Sequence, residues 1–155
     1  MADIETMYHQ LKVSPDNVDA LRFLQHPYCD STREPEEYHM TVQLFGGLWS
    51  AICANYGLQK TAKDNSNDFD PLVVRTVERN FYVDDCLKLV ETQETAIVLV
   101  DQLWKLLLRG GFNLTKLICN SRAELETIPL SDCAKEVKDL DLSSGILPVE
   151  RALGV

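Results

Sequence analysis

The segment Phe81-Tyr82-Val83-Asp84-Asp85-Cys86-Leu87 sets two adjacent carboxylates between apolar, β-forming flanks. Burial of those flanks would hold the acids close together, and crowded anions repel unless a cation neutralises them. Carboxylate oxygens suit Mg²⁺, so a divalent ion is the natural partner. An Asp-Asp pair at a β-turn is more often a solvated turn, and the dipeptide alone does not separate the two readings. The other chemistry-bearing residues are scattered. Five cysteines, at 29, 53, 86, 119 and 133, contain no CxxC pair, which argues against a zinc ribbon or a thioredoxin-like motif. Their odd number reads as reduced thiols, mostly buried as small hydrophobes. His9, His26 and His39 show no HExxH or paired spacing and read as structural or exposed.

A hairpin must carry the acid pair: Arg79 to Val83 and Cys86 to Val90 read as strands, with Asp84-Asp85 as the corner. Upstream, Asp3 to Val13 alternates in part and predicts a short strand and a turn. Ser14-Pro15-Asp16 marks another turn or the start of a helical turn. Ala20 to Leu24 and Glu37 to Leu44 read as two strands, joined through the turn formers between His26 and Pro35. Leu48, Ala51, Ala54, Leu58 and Ala62 recur at spacings of three and four, which predicts a helix over 48–63 after Gly46-Gly47. The polar run 64–68 then forms a surface loop. Apolar residues at 96, 97, 99, 100, 103, 104, 107 and 108 predict a helix over 94–109, stopped by Gly110-Gly111. A strand over 112–119, a short helix or loop over 132–140 and a strand over 149–155 complete the expected order. Strands, hairpins and intervening helices together indicate an α+β domain.

Composition narrows the function classes. The chain has 155 residues, 45% of them apolar and 25% charged, enough for one domain with a real core. No apolar run approaches the roughly 20 residues of a membrane span, and the acidic opening Met1-Ala2-Asp3-Ile4-Glu5 is no signal peptide. The expectation is an intracellular protein with no membrane partner. With 24 acidic against 15 basic residues, the net charge is −9. Such a chain is a poor electrostatic partner for nucleic acid unless something else supplies positive charge.

Several segments share one resemblance. Asp3-Ile4-Glu5-Thr6-Met7-Tyr8-His9-Gln10 and Tyr82-Val83-Asp84-Asp85 resemble motifs A and C of reverse transcriptases, the palm of a template-directed polymerase. The Pao/BEL class of long-terminal-repeat retrotransposons is the nearest in kind. Residues 36–42, 79–88, 110–116, 120–122 and 149–155 are similar to that class in the same order. The resemblance implies a palm fold, an antiparallel sheet with helices packed on one face. It also implies two-metal nucleotidyl transfer from a dNTP to a primer 3′-hydroxyl, on an RNA or DNA template. Asp3, Asp84 and Asp85 would be the catalytic and metal-binding acids, for Mg²⁺ or Mn²⁺ in its place. Tyr8, in the position that excludes a ribose 2′-hydroxyl, and Tyr82 would bind the nucleotide. Phe45, Gly46 and Ser50 resemble motif B and would lie against template and primer, although Ala51 stands where the family usually has Pro. Lys116 resembles the motif D lysine that protonates pyrophosphate. Read without the resemblance, Asp3 is a terminal residue, Tyr8 a core aromatic and Lys116 a solvated strand-end lysine.

The family pattern further implies that residues 1–155 are a partial reverse transcriptase domain. Motifs A to D and the start of the following segment would be present, without fingers, thumb or ribonuclease H. Such a fragment is expected to be inactive alone and to expose apolar faces. Two other readings compete: a non-catalytic palm-fold relic or interaction module, and an unrelated acidic α+β domain whose Asp-Asp corner is only a turn. The last requires Asp3 to lie far from the hairpin.

Overall fold

The computed structural model describes residues 1–119 and residue 133 of the chain. The elements expected over 149–155, and over 132–140 apart from Cys133, lie outside the described residues.

The sheet forms around a three-residue strand, β1 (Ala2–Ile4). Successive side chains in a strand point to opposite faces, and here Ala2 and Ile4 are buried while Asp3 is not. β1 pairs antiparallel with β5 (Asp85–Cys86) on one side and β6 (Leu114–Thr115) on the other. β4 (Phe81–Tyr82) closes the order β4-β5-β1-β6. Phe81, Cys86, Ala2, Ile4 and Leu114 therefore share the core side, each paired across strands with another member. Against them pack α1 (Ser50–Asp64), α2 (Pro71–Arg79) and α3 (Gln93–Arg109). These helices supply Ala54, Leu58 and Ala62, then Val73 and Val77, then Leu99, Leu103, Leu106 and Leu107. The structure is thus α+β, an antiparallel sheet with helices. No helix among the described residues is long and apolar enough to cross a membrane.

Local chemistry explains the helix ends. Asp70 caps α2 by accepting a hydrogen bond from Leu72 N–H at 2.7 Å, with Pro71 in the first helical position. Thr92 Oγ1 does the same for α3 from Thr95 N–H. α3 ends at Gly110-Gly111 as expected. Gly111 takes φ +79°, Phe112 N–H reaches Leu107 C=O at 3.0 Å, and Gly111 N–H reaches Leu108 C=O. The buried side chains of Phe112 and Leu107 complete this Schellman motif.

Three expectations need correction. The strand pair expected over 20–24 and 37–44 is β2 (Arg22–Gln25) with β3 (Glu36–His39), so both strands are shorter than expected. It is a separate ribbon, exposed along its whole length, with Phe23 and Tyr38 stacked at 5.8 Å. Residues 71–79 are a helix that the hairpin reading overlooked. The strand expected over 112–119 is only two residues long before Lys116 enters the left-handed region at φ +50°. Among the cysteines, Cys86 and Cys133 are buried but Cys29 is exposed. Burial pushes the Cys86 thiol up to about 11, so it stays protonated at neutral pH.

Candidate active site

The register of the sheet assembles the acids. Tyr82 stands opposite Asp85, Asp85 opposite Asp3, and Asp3 opposite Thr115. Side chains of paired residues project from the same face, so these four form one row across four strands, on the side away from the helices. The core row and the polar row are the two faces of one pleat. A shift of one residue in β1 or β5 would bury an aspartate.

The corner differs from the expected one. Asp85 belongs to β5, and the two-residue loop is Val83-Asp84. Val83 has φ +57°, a left-handed conformation that glycine normally takes at the first central position of a type II′ hairpin turn. The corner shifts because each strand is held in register elsewhere. Ile4 N–H donates to Asp84 C=O at 2.9 Å, pinning the tip of the hairpin to the end of β1. At the other end Leu87 N–H donates to Asn80 C=O, and Asn80 Nδ2 donates back to Leu87 C=O, both at 3.0 Å. Asp85 is therefore the acid that pairs with Asp3, and Asp84 presents itself from the turn.

Lys116 reaches the row through a β-bulge. Asp3 pairs with Thr115, yet Met1 and Ile118 exchange their backbone hydrogen bonds, at 2.7 and 3.0 Å. Two residues, Lys116 and Leu117, therefore stand opposite Ala2. A bulge whose first residue is left-handed re-aims a side chain. Here strict alternation would send residue 116 towards the core. Instead Leu117 is buried and Lys116 Nζ donates to Asp3 Oδ2 at 2.9 Å. That hydrogen bond raises the Lys116 ammonium above its usual range, and the charges of Asp3, Asp84 and Asp85 add to the effect. The lysine side chain is 62% exposed and that of Asp3 only 18%.

The other expected site residues cluster at the exit from β1. Thr6, at φ +46°, turns the chain into a 3₁₀ turn over Met7–Gln10 that carries Tyr8. Phe45 packs edge-to-face on Tyr8, ring centroids 5.7 Å apart, and is itself 84% exposed. Gly46 takes φ +84°, and a Cβ on Gly47 would stand 2.7 Å from Ser50 Oγ. Ser50 is buried at the first position of α1, and its Oγ has no hydrogen-bond partner among the described residues. Any contact of this loop with a ligand thus falls to Phe45 and Gly46, while Ser50 shapes the loop from below. Tyr82 is exposed.

A brace that the site reading passed over supports this end of the sheet. Glu5 N–H donates to Asn113 C=O at 2.9 Å, Asn113 Nδ2 to Glu5 Oε2 at 2.8 Å, and Asn113 N–H to Gln10 Oε1 at 3.0 Å. Gln10 Nε2 also donates to Glu5 C=O. Polar residues following a strand acid, and one between Gly111 and Lys116, were the available signals.

The donors suit Mg²⁺ in kind. They are hard carboxylate oxygens from two adjacent strands, on the sheet face away from the helices. Among the described residues no three His, Cys, Asp or Glu side chains converge on one point. Mg²⁺ does not need such a cage, since it is commonly held by one or two carboxylates with substrate phosphates and water. A shallow groove lined by Lys12, Val13, Pro15, Val18 and Val42 contains none of these acids.

Compared with protein-family models, with curated proteins and with solved structures, the chain matches none of them.

Proposed function

We propose that the chain carries the acidic catalytic face of an RNA-directed DNA polymerase of the Pao/BEL retrotransposon class. The observation that carries this reading is the pairing of Asp3 with Asp85 on the sheet face away from the helices, from segments 82 residues apart in the chain. An unrelated turn would have no cause to meet an acid from the chain's first strand. Backbone strain points the same way. Thr6, Val83 and Lys116 are three of the five non-glycine residues with positive φ among the described residues. They lie on the segments that leave β1, join β4 to β5 and leave β6. Strained side-chain-bearing residues concentrate at functional sites.

In this reading Asp3, Asp85 and Asp84 would hold Mg²⁺. The chemistry such ions would supply is activation of a primer 3′-hydroxyl and stabilisation of the pyrophosphate leaving group of a dNTP. The residues of the chain divide the remaining work. Tyr8, braced by Phe45, stands where a nucleotide sugar would be screened, and Phe45 and Gly46 face template and primer. The open face suits a long substrate better than an enclosed small molecule. RNA or DNA template, primer and dNTP are the implied partners, and fingers, thumb and ribonuclease H regions of a polyprotein would supply the grip and the positive charge.

The alternative, a non-catalytic module with the same fold, draws on the Asp3–Lys116 ion pair, which neutralises the acid without a metal. Titration with Mn²⁺, read by the loss of the free-ion electron paramagnetic resonance signal, separates the two. Saturable binding at millimolar or lower Mn²⁺, abolished in the Asp3→Asn/Asp85→Asn double variant, is expected of the polymerase face. Equal signals from the folded wild type and double variant, with no binding gained in Lys116→Gln, would sink it.

A further inference from the structure

The β-bulge at Lys116 does more than end a strand. It inserts one residue opposite Ala2, and with that residue the ammonium group comes onto the acid face. The bulged lysine sits in left-handed backbone, which a side-chain-bearing residue adopts at a steric cost. The turn therefore persists because something over-determines it. Two restraints do so: Leu117 is buried behind it and the Met1–Ile118 pairing resumes beyond it. The consequence is an ammonium group at 2.9 Å from Asp3 Oδ2, an oxygen that a divalent ion would also use.

We infer that Lys116 is an internal counter-ion of the acid face, holding Asp3 in the metal-free protein and giving way when a divalent cation binds. The inference rests on the metal-binding reading above and deepens it. It accounts for a row acid, Asp3, and a turn acid, Asp84, that lie with Asp85 about one lysine yet do not converge with it on one point. Asp3 is turned to the ammonium group, which a long, mostly exposed side chain can withdraw without disturbing the core. A flexible lysine suits such a role, because its point charge is not locked by the bidentate geometry of an arginine. Metal binding and lysine release are then one exchange of cations at Asp3. Metal affinity is weaker than the carboxylates alone would give, and the metal-free protein is protected from the repulsion of its own acids.

The test compares wild type, Lys116→Gln and Asp3→Asn in the same Mn²⁺ titration. Lys116→Gln is expected to bind Mn²⁺ roughly two- to fivefold more tightly than wild type, the range an exposed ion pair allows. Its melting temperature should rise more on adding Mg²⁺ than that of wild type. A second measurement uses wild type and Asp3→Asn labelled with ¹⁵N-lysine. Saturating Mg²⁺ should shift the Lys116 ammonium resonance towards that of a free lysine, and in Asp3→Asn the resonance should start there.

Two results overturn the inference while leaving the polymerase reading intact. One is Mn²⁺ binding that Asp3→Asn abolishes but Lys116→Gln leaves equal or weakens. The other is a Lys116 resonance unmoved by Mg²⁺. Absence of Mn²⁺ binding in both wild type and Lys116→Gln overturns the metal reading itself, and the inference with it. Binding in Lys116→Gln alone supports both.

Discussion

Val83 is a β-branched residue at φ +57°, in the corner that sets Asp84 beside β1. Left-handed backbone costs a side-chain-bearing residue about 1–2 kcal/mol, because Cβ crowds the following carbonyl. Glycine escapes that cost, although it loses about 0.5–1 kcal/mol relative to alanine where the backbone is regular. The usual order of the two small residues should therefore invert here. Both Val83→Gly and Val83→Ala lose a half-buried side chain that packs against the core. Only glycine relieves the turn. Urea unfolding of the two variants should find Val83→Gly the more stable by about 0.5–1 kcal/mol. If Val83→Ala equals or exceeds it, the corner is not strained, and strain no longer supports a functional hairpin.

At the scale of elements, the helix N-termini show what could be read from the sequence and what could not. α3 was legible because its apolar residues keep helical spacing over four turns and two glycines stop it. α2 was not: it has nine residues, and Val73, Val74 and Val77 look like strand formers. Its signal was local, the Asp70-Pro71 pair of an N-cap and first helical position. The acid pair was legible as chemistry but not in register, since nothing in Asp84-Asp85 tells which one lies on the strand. Burial of Cys86 decides it, and with it that Asp85 faces Asp3. The bulge at Lys116 had no glycine to announce it. α1 offers the element-scale prediction. It begins at Ser50, so Ala51 is the second helical residue, where a backbone N–H has no partner inside the helix. A proline there fits the first turn and restricts the unfolded chain. Ala51→Pro should raise stability by up to about 1 kcal/mol. Thermal unfolding measures it, and a clear fall in midpoint would mean that the loop into α1 is held in a shape that a proline in the first turn does not fit.

The molecule as a whole sets a net charge of −9 against a surface with several large apolar side chains. Phe45, Leu48, Ile52 and Tyr56 are all more than two-thirds exposed, and the last three are spaced four residues apart, along the approach to α1 and its first turns. Apolar groups placed together on a surface favour association, while like net charge on every copy opposes it. Salt weakens only the second, because the screening length is about 10 Å at 0.1 M and about 3 Å at 1 M. The chain should therefore be closest to monomeric at low ionic strength and associate as salt is added, the reverse of what ion-pairing between copies would produce. Sedimentation velocity at micromolar protein is expected to show a rising weight-average mass between 20 mM and 500 mM NaCl. Ile52→Asp with Tyr56→Asp should remove the rise. Both side chains are exposed, so the melting temperature should stay within a few degrees of wild type. A mass that falls as salt rises would assign association to charge pairs instead. A monomer at both ionic strengths would mean that these side chains are too dispersed to act as one surface, and that covering this face is not what the fold requires to stay in solution.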